Sequence, residues 1–153
     1  MAITIDLTGR VAVVTGGTRG VGRGIVERLV DAGATVVAVG RTETDALPPG
    51  VTFRAADVRD PDAADPLVDA VVAEHGHLDV VVNNAGGSPS VAAEEASARL
   101  STRIVELNLL AALHLSRAAR RVMDEGSIVN VASLSGLRPS PGTAAYGAAK
   151  AGL

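Results

Sequence analysis

The chain has 153 residues, of which 47% are hydrophobic, and a mean hydropathy of +0.29, which excludes a disordered tail and favours one folded domain. Its 14 basic and 17 acidic residues give a formal net charge of −3, and no block of like charge predicts a nucleic-acid-binding arm. Cysteine is absent, so disulfides, a thiolate nucleophile and cysteine-ligated zinc are excluded.

The amino-terminal residues do not predict a secretory signal. Residues 1–10 lack a basic segment followed by a long apolar one, which is the pattern that such signals need. No later stretch reaches the run of about 18 apolar residues that a membrane-spanning helix requires. We therefore expect a cytoplasmic protein with neither membrane nor nucleic-acid partners.

Five short apolar segments rich in β-branched residues predict strands. They are residues 11–15, 35–39, 51–55, 78–82 and 127–132. Continuous apolar runs of this length are typical of strands that are buried on both faces of a parallel sheet.

The segments between these strands have the spacing of helices. Residues 22–32 place apolar and charged side chains on opposite sides, and a second helix is predicted from Asp60 to near Gly76. A longer helix is predicted over about 94–122. Strands that alternate with helices predict a doubly wound α/β sheet of the Rossmann type, formed as a single domain by residues 1–153.

A glycine-rich loop joins the first predicted strand to the first helix. Its glycines follow a G-x-x-x-G-x-G spacing, which differs from the G-x-G-x-x-G of the general dinucleotide-binding fingerprint. Glycines at this turn let the backbone approach a pyrophosphate, which the free N–H groups of a helix start also favour. Tight turns with close helix packing are the alternative, but the position directly after a strand favours a dinucleotide site. The candidate binding residues in this loop are Gly16, Thr18, Arg19, Gly20, Val21 and Gly22.

The end of the second strand carries an arginine. Many NAD-binding proteins have an acidic residue there, which binds the ribose hydroxyl groups. Arg41 occupies this end and no carboxylate accompanies it. Because a guanidinium group can bind a 2′-phosphate through paired hydrogen bonds, Arg41, assisted by Arg19, favours NADP(H) over NAD(H). A solvated loop arginine is the alternative.

Polar residues also follow the third and fourth strands. Asp57 can accept a hydrogen bond from an adenine amino group, or it can cap the turn before Asp60. Residues 83–86, Asn-Asn-Ala-Gly, place two amides and a glycine at the carboxyl end of the sheet, where ligands of open α/β folds bind. A polar turn is the alternative for any one of these residues.

Three residues near the carboxyl terminus form a candidate catalytic group. Ser133 follows the fifth strand, and Tyr146 and Lys150 are four residues apart, so a helix would place the phenol and the ammonium on one face. A neighbouring positive charge stabilises a phenolate, which suits Tyr146 to act as a general acid or base. Ser133 can hold the substrate oxygen by a hydrogen bond. A surface Tyr-Lys pair is the alternative.

Together, these motifs resemble the short-chain dehydrogenase/reductase family. The match consists of Thr15-Gly-x-x-x-Gly-x-Gly22, Asp57-Val58, residues 83–86, Asn108, Ser133 and Tyr146-x-x-x-Lys150. The resemblance implies that Tyr146 donates or accepts the proton and that Ser133 orients the carbonyl. It further implies that Lys150 binds the nicotinamide ribose and that Asn108 positions a water for a proton relay. The remaining cofactor contacts implied are Asp57, Val58, Asn84, Ala85, Gly86 and Tyr146.

The resemblance implies an NADP(H)-dependent oxidoreductase that interconverts a small-molecule carbonyl and a secondary alcohol. It also implies a homo-oligomer that assembles through the helix around 94–122. No metal site is expected, because His75, His77 and His114 match no catalytic position.

The alternative is an inactive fragment that serves only as a dinucleotide-binding or dimerisation module. The given sequence stops shortly after Lys150, whereas the family continues through further strands. The Rossmann-like sheet is then expected to be incomplete at its carboxyl-terminal edge, with strand 127–132 uncovered there.

Overall fold

A five-stranded parallel sheet forms the centre of the computed structural model, which describes residues 5–44 and 47–153. The strands follow the order β3-β2-β1-β4-β5, so the winding direction reverses between β1 and β4. This confirms the predicted doubly wound α/β sheet. The strands are β1 Val11–Thr15, β2 Thr35–Gly40, β3 Thr52–Ala55, β4 Val80–Asn83 and β5 Ser127–Asn130.

Helices connect the strands and cover the sheet. Before the second of them, Asp60 accepts a hydrogen bond from the Asp62 N–H at 3.0 Å, and the chain passes through a 3₁₀ turn, Pro61–Ala63. The predicted helix start at Asp60 is therefore confirmed. The α-helices are α1 Gly20–Asp31, α2 Ala64–His75, α3 Ala98–Val105, α4 Ala111–Arg120 and α5 Ala144–Gly152.

The hydrophobic core consists of two clusters on opposite sides of the sheet. Alternate residues of β1 point to opposite sides, so Val13 belongs to the cluster that contains α2 and α4 residues, and Val14 to the cluster that contains Val26 of α1. All five residues of β1 are buried. The end of β1, where the glycine-rich loop begins, is thus held rigidly at the middle of the sheet.

The prediction that all five strands are buried on both faces is wrong for β3 and β5. The β3 residues are half-buried or exposed, and all four residues of β5 are exposed. Both are outer strands of the described sheet, and β5 pairs there with β4 alone. The expected uncovered strand is therefore present, with Ile128 37% exposed and Val129 47% exposed.

The long helix predicted over 94–122 is wrong in both its start and its continuity. It begins at Ala98, where Ser97 accepts a hydrogen bond from the Leu100 N–H, and a π-helical turn, Glu106–Leu110, separates α3 from α4. Within this turn Asn108 Nδ2 donates to the Ile104 carbonyl at 2.9 Å. In a regular α-helix the Ile104 carbonyl would accept a hydrogen bond from the backbone N–H of Asn108. Here it accepts one from the Asn108 side chain, which interrupts the regular series of backbone hydrogen bonds.

A buried carboxylate joins β1 and β4 at the amino end of the sheet. Asp79 accepts hydrogen bonds from the Val11 N–H and from Arg10 Nη1, both at 2.8 Å. His77 Nε2 lies 3.2 Å from the same carboxylate. Burial alone would raise the pKa of Asp79, but the hydrogen bonds from Val11 and Arg10 and the nearby charges of His77 and Arg10 outweigh it and lower that pKa.

Ion pairs cross between α2 and α4 on the surface. Arg117 contacts Asp65 and Arg121 contacts Asp69, each at 2.6 Å. Because these side chains are largely exposed, the pairs contribute little free energy. They nevertheless show which side of α4 faces α2.

Candidate active site

The predicted site residues gather at the carboxyl end of the parallel strands. The glycine-rich loop follows β1, residues 83–86 follow β4, and Ser133 comes shortly after β5. The helix α5 carries Tyr146 and Lys150 and packs against α3, the π-helical turn that follows α3, and the turn after β5. The structure thus brings segments that are far apart in sequence to one edge of the sheet, as the parallel arrangement requires.

Thr15 joins the loops that follow β1 and β4. Its Oγ1 accepts hydrogen bonds from the N–H groups of Asn84 and Ala85, both at 3.0 Å. In return, Asn84 Nδ2 donates to the Thr15 carbonyl at 2.8 Å and to the Gly16 carbonyl at 3.3 Å. The Asn84 side chain therefore orders the glycine-rich loop.

The glycine-rich loop presents free donors and open space. The first backbone hydrogen bond of α1 runs from Arg23 to the carbonyl of Arg19, which is the N-cap but provides no side-chain cap. The N–H groups of residues 20–22 consequently have no intrahelical acceptor. Gly20 has a φ of +55, and a Cβ there would meet nothing within 4 Å. These donors and this space fit a pyrophosphate group.

Gly22 has a different role, because its backbone is packed tightly. A Cβ at this position would lie 2.2 Å from the Gly16 carbonyl oxygen and 2.4 Å from Asn84 Nδ2. Gly17, which the sequence interpretation did not select, is also confined, since a Cβ would lie 2.9 Å from the Val14 carbonyl oxygen. Its only sequence signal is its place beside Gly16.

The end of β2 supports the same loop. A Cβ on Gly40 would lie 3.1 Å from Thr18 Cγ2, so the Thr18 side chain packs against the β2 backbone. Arg19 and Arg41 are exposed, and Val21 is 69% exposed. The two arginines are therefore accessible to an anionic ligand.

Asp57 is paired with an arginine that the sequence interpretation missed. Arg59 contacts the carboxylate with its Nε, 2.9 Å from Asp57 Oδ1, and with its Nη2, while its backbone N–H donates to Oδ1 at 3.1 Å. These hydrogen bonds, opposed by partial burial and assisted by the charges of Arg59 and Arg41, lower the pKa of Asp57 to about 2. Of the two roles considered for Asp57, the structure shows the cap of its own turn. Val58 packs against the core.

Lys150 is a buried ammonium group beside the only tyrosine of the sequence. It is 8% exposed, and Nζ donates to the Val131 carbonyl at 2.7 Å. The same Nζ lies 5.9 Å from the centroid of the Tyr146 ring, as the four-residue spacing predicts. Burial lowers the pKa of Lys150. An ammonium group has three donors, so two remain available for a ligand.

Asn108 connects the π-helical turn to the loop that follows β4. Its Oδ1 accepts from the Gly87 N–H at 2.9 Å, and its Nδ2 donates to the Gly87 carbonyl at 2.9 Å. A Cβ on Gly86 would lie 2.7 Å from Asn108 Oδ1 and 3.7 Å from Lys150 Nζ. The absence of a side chain at Gly86 thus lets this loop approach both residues. A role of Asn108 in a proton relay stays a prediction.

Ser133 is the N-cap of the short 3₁₀ turn Leu134–Gly136. Its Oγ accepts a hydrogen bond from the Ser135 N–H at 3.2 Å. Since a hydroxyl group both accepts and donates, the Ser133 hydrogen remains available for a substrate oxygen. The turn is held against α5, because a Cβ on Gly136 would lie 2.7 Å from the Lys150 carbonyl carbon.

In the part of the chain that the structure describes, no helix is long and apolar enough to cross a membrane. No group of three or more histidine, cysteine, aspartate or glutamate side chains in these residues could hold a metal ion.

Comparison with curated proteins identifies relatives among oxidoreductases. The chain is 34% identical to 3-oxoacyl-(acyl-carrier-protein) reductase of Vibrio cholerae, with 97% of this chain and 65% of the relative covered. It is 40% identical to L-fucose dehydrogenase of Rattus norvegicus, with 89% and 53% covered. The chain thus spans between 53% and 66% of the length of the curated relatives it matches.

A solved structure and a family model agree with these relatives. A putative short-chain alcohol dehydrogenase from Sinorhizobium meliloti superimposes with a TM-score of 0.89 and 34% identity, covering 98% of this chain and 64% of that protein. The family model described as short chain dehydrogenase matches residues 10–153. This chain therefore belongs to the short-chain dehydrogenase family of oxidoreductases.

Proposed function

We propose that this chain carries the cofactor-binding and proton-transfer residues of an NADP(H)-dependent cytoplasmic oxidoreductase, which interconverts a carbonyl and a secondary alcohol on a small molecule. The observation that carries the proposal is the buried Lys150 ammonium, which is fixed by the Val131 carbonyl at 2.7 Å and lies 5.9 Å from the centre of the Tyr146 ring. Burying a lysine ammonium group costs free energy. A role in proton exchange with a substrate, together with Tyr146, would account for its retention at this position.

Each residue of the site has a definite task in this proposal. The nicotinamide cofactor, when bound, supplies or accepts the hydride. The N–H groups of residues 20–22 bind its pyrophosphate, and Lys150 binds ribose hydroxyl groups with its two remaining donors. Tyr146 gives the proton to the carbonyl oxygen or removes it from the alcohol. Ser133 donates a hydrogen bond to the same oxygen and so orients it.

The preference for NADP(H) rests on two exposed arginines. Arg41 follows β2, and its charge contributes to the low pKa of Asp57, so it lies close to the adenosine side of the proposed site. Arg19 lies in the glycine-rich loop. Two guanidinium groups suit a 2′-phosphate, which a 2′-hydroxyl does not match.

The proposal is tested by Tyr146→Phe, which removes only the phenolic oxygen. Turnover of a panel of ketones and aldehydes with NADPH should fall by about 10²–10⁴-fold. The affinity for NADPH, followed by nicotinamide fluorescence, should fall by about tenfold at most, which is the strength of the one hydrogen bond that the phenol could give the cofactor. NADH serves as the cofactor control and should bind more weakly than NADPH. A variant that keeps full turnover would contradict the assigned role of Tyr146.

A dinucleotide-binding or dimerisation module without turnover is the second candidate. Leu113 on α4, which is 61% exposed, favours it, since this apolar side chain is available to another chain. A homo-oligomer formed through the segment around 94–122 is compatible with either candidate. NADPH binding or oligomerisation without any turnover would favour the module over the reductase.

A further inference from the structure

The loop after β3 holds a carboxylate in an unusually restricted arrangement. Asp57 accepts hydrogen bonds from the guanidinium group and the backbone N–H of Arg59, which lies only two residues further along the chain. The side chains of Asp57 and Arg59 are 38% and 27% exposed. They therefore lie at the protein surface, where a ligand can reach them, in the loop that follows the carboxyl end of β3 and near Arg41.

The contacts leave one hydrogen-bonding position of this carboxylate without a hydrogen of its own. Oδ1 accepts from the Arg59 N–H at 3.1 Å and from Nε at 2.9 Å, which uses both of its lone pairs. Oδ2 accepts from Arg59 Nη2 and, in a longer hydrogen bond of 3.2 Å, shares the single Nε hydrogen with Oδ1. Three hydrogens of Arg59 thus serve the four acceptor positions of the carboxylate. The position most open to a further donor is therefore the one on Oδ2 that holds only the longer, shared hydrogen bond.

The charge of Arg59 matters as well as its geometry. An unpaired Asp57 would repel an anionic cofactor, because both carry negative charge. The Arg59 guanidinium neutralises the carboxylate, and Arg41, whose charge also acts on Asp57, stays exposed for a phosphate. The pair thus allows a carboxylate acceptor and a phosphate to occupy neighbouring positions.

We propose that Arg59 is a positioning residue that holds Asp57 so that Oδ2 accepts a hydrogen bond from the adenine amino group of the cofactor. This inference rests on the proposed dinucleotide-binding function. Arg59 itself does not touch the base in this arrangement. It restricts the carboxylate to one orientation, and the hydrogen bond then forms without the entropic cost of ordering a loop side chain.

The experiment compares NADPH with its hypoxanthine analogue, in which an oxygen replaces the adenine amino group. Binding to the chain and to its Arg59→Ala and Arg59→Lys variants is followed by nicotinamide fluorescence. The parent should prefer NADPH by about tenfold, which is the strength of one hydrogen bond to a charged group. Arg59→Ala should weaken the binding of both dinucleotides, because the Asp57 charge is no longer neutralised, but it should weaken NADPH more and so reduce the preference to about twofold. Arg59→Lys should restore part of the preference.

Arg54→Ala is the matched control. Arg54 lies on β3, five residues before Arg59, and pairs with Glu74 of α2, so its loss also breaks an arginine–carboxylate pair. It should leave the preference for NADPH at the parent value. Circular dichroism establishes that each variant is folded before binding is measured.

The possible results distinguish a failure of the role proposed for Arg59 from a failure of the proposed dinucleotide-binding function. A folded parent that binds neither dinucleotide overturns the proposed function together with this inference. A parent that discriminates between them while Arg59→Ala discriminates equally well overturns the role of Arg59 alone. Equal weakening of both dinucleotides by Arg59→Ala would also overturn it, because that result indicates a general structural role.

Discussion

Gly22→Ala is expected to destabilise the protein, although an alanine in a helix normally does the opposite. The added Cβ would lie 2.2 Å from the Gly16 carbonyl oxygen and 2.4 Å from Asn84 Nδ2, about 1 Å inside normal contact. The glycine-rich loop or the Asn84 side chain must move to make room. Either movement disturbs the hydrogen bonds from Asn84 to Thr15 and Gly16.

Opposing contributions determine the size of the effect. Overpacking costs about 1–3 kcal/mol, and losing one hydrogen bond of Asn84 costs about 1 kcal/mol more. The higher helix propensity of alanine compared with glycine offsets about 1 kcal/mol of this loss. We therefore expect the free energy of unfolding to fall by about 1–3 kcal/mol. NADPH binding should weaken too, because the same loop is proposed to hold the pyrophosphate.

Gly24→Ala is the matched control, since Gly24 lies in the same helix and a Cβ there would meet nothing within 4 Å. This variant should gain about 0.5–1 kcal/mol. Urea denaturation followed by circular dichroism measures both changes. With a slope of about 2 kcal/mol per molar urea, the midpoints should differ by about 1–2 M. If Gly22→Ala were as stable as Gly24→Ala, the close packing of the loop would be refuted.

Two further substitutions test the buried polar contacts. Asn108→Leu removes three hydrogen bonds to Gly87 and Ile104 and should lower the free energy of unfolding by about 1–3 kcal/mol. The exposed Thr102→Ala, which loses one bond to Ala98, should change it by less than about 0.5 kcal/mol, and equal effects would contradict a special role of Asn108. Asp79→Asn tests how the free energy of unfolding changes at acid pH. Because the folded-state pKa of Asp79 is lowered, the ionised carboxylate stabilises the fold above about pH 5, and this contribution is lost as the pH falls further. Urea midpoints measured between about pH 7 and pH 3 should therefore decline less for the asparagine variant, and parallel curves would show that Asp79 is not responsible.

Local patterns were sufficient to predict most of the architecture. The β-branched runs identify all five strands to within two residues at each end, and Asp60 followed by Pro61 identifies the start of the second helical segment. The Tyr146–Lys150 spacing predicts their shared helix face because a helix repeats every 3.6 residues. These signals depend only on residues that are close together in the chain, so they can be recognised in a single sequence.

Other features depend on contacts between distant residues and left no local signal. The π-helical turn forms where Asn108 bonds to Gly87, 21 residues earlier in the chain, and a polar residue in a helix does not by itself predict this. The burial of a strand depends on its position in the sheet as well as on its composition. β5 carries Ile128 and Val129 like the inner strands but is exposed as an outer strand, whereas β3 differs from the inner strands in containing Arg54. The pairing of Arg59 with Asp57 is local, yet an arginine after an aspartate is too common to be selected.

The π-helical turn also fixes the rotational phase of the helix that follows it. Each helical residue turns the chain by about 100°, so the one extra residue in Glu106–Leu110 rotates α4 by that amount relative to a direct continuation of α3. Only with this phase do Arg117 and Arg121 face α2 while Leu115 enters the core. Deleting one residue from the turn would rotate α4 by about 100° and move both arginines away from Asp65 and Asp69. The contacts between α2 and α4 therefore constrain the number of residues between α3 and α4, and not only the identity of those residues.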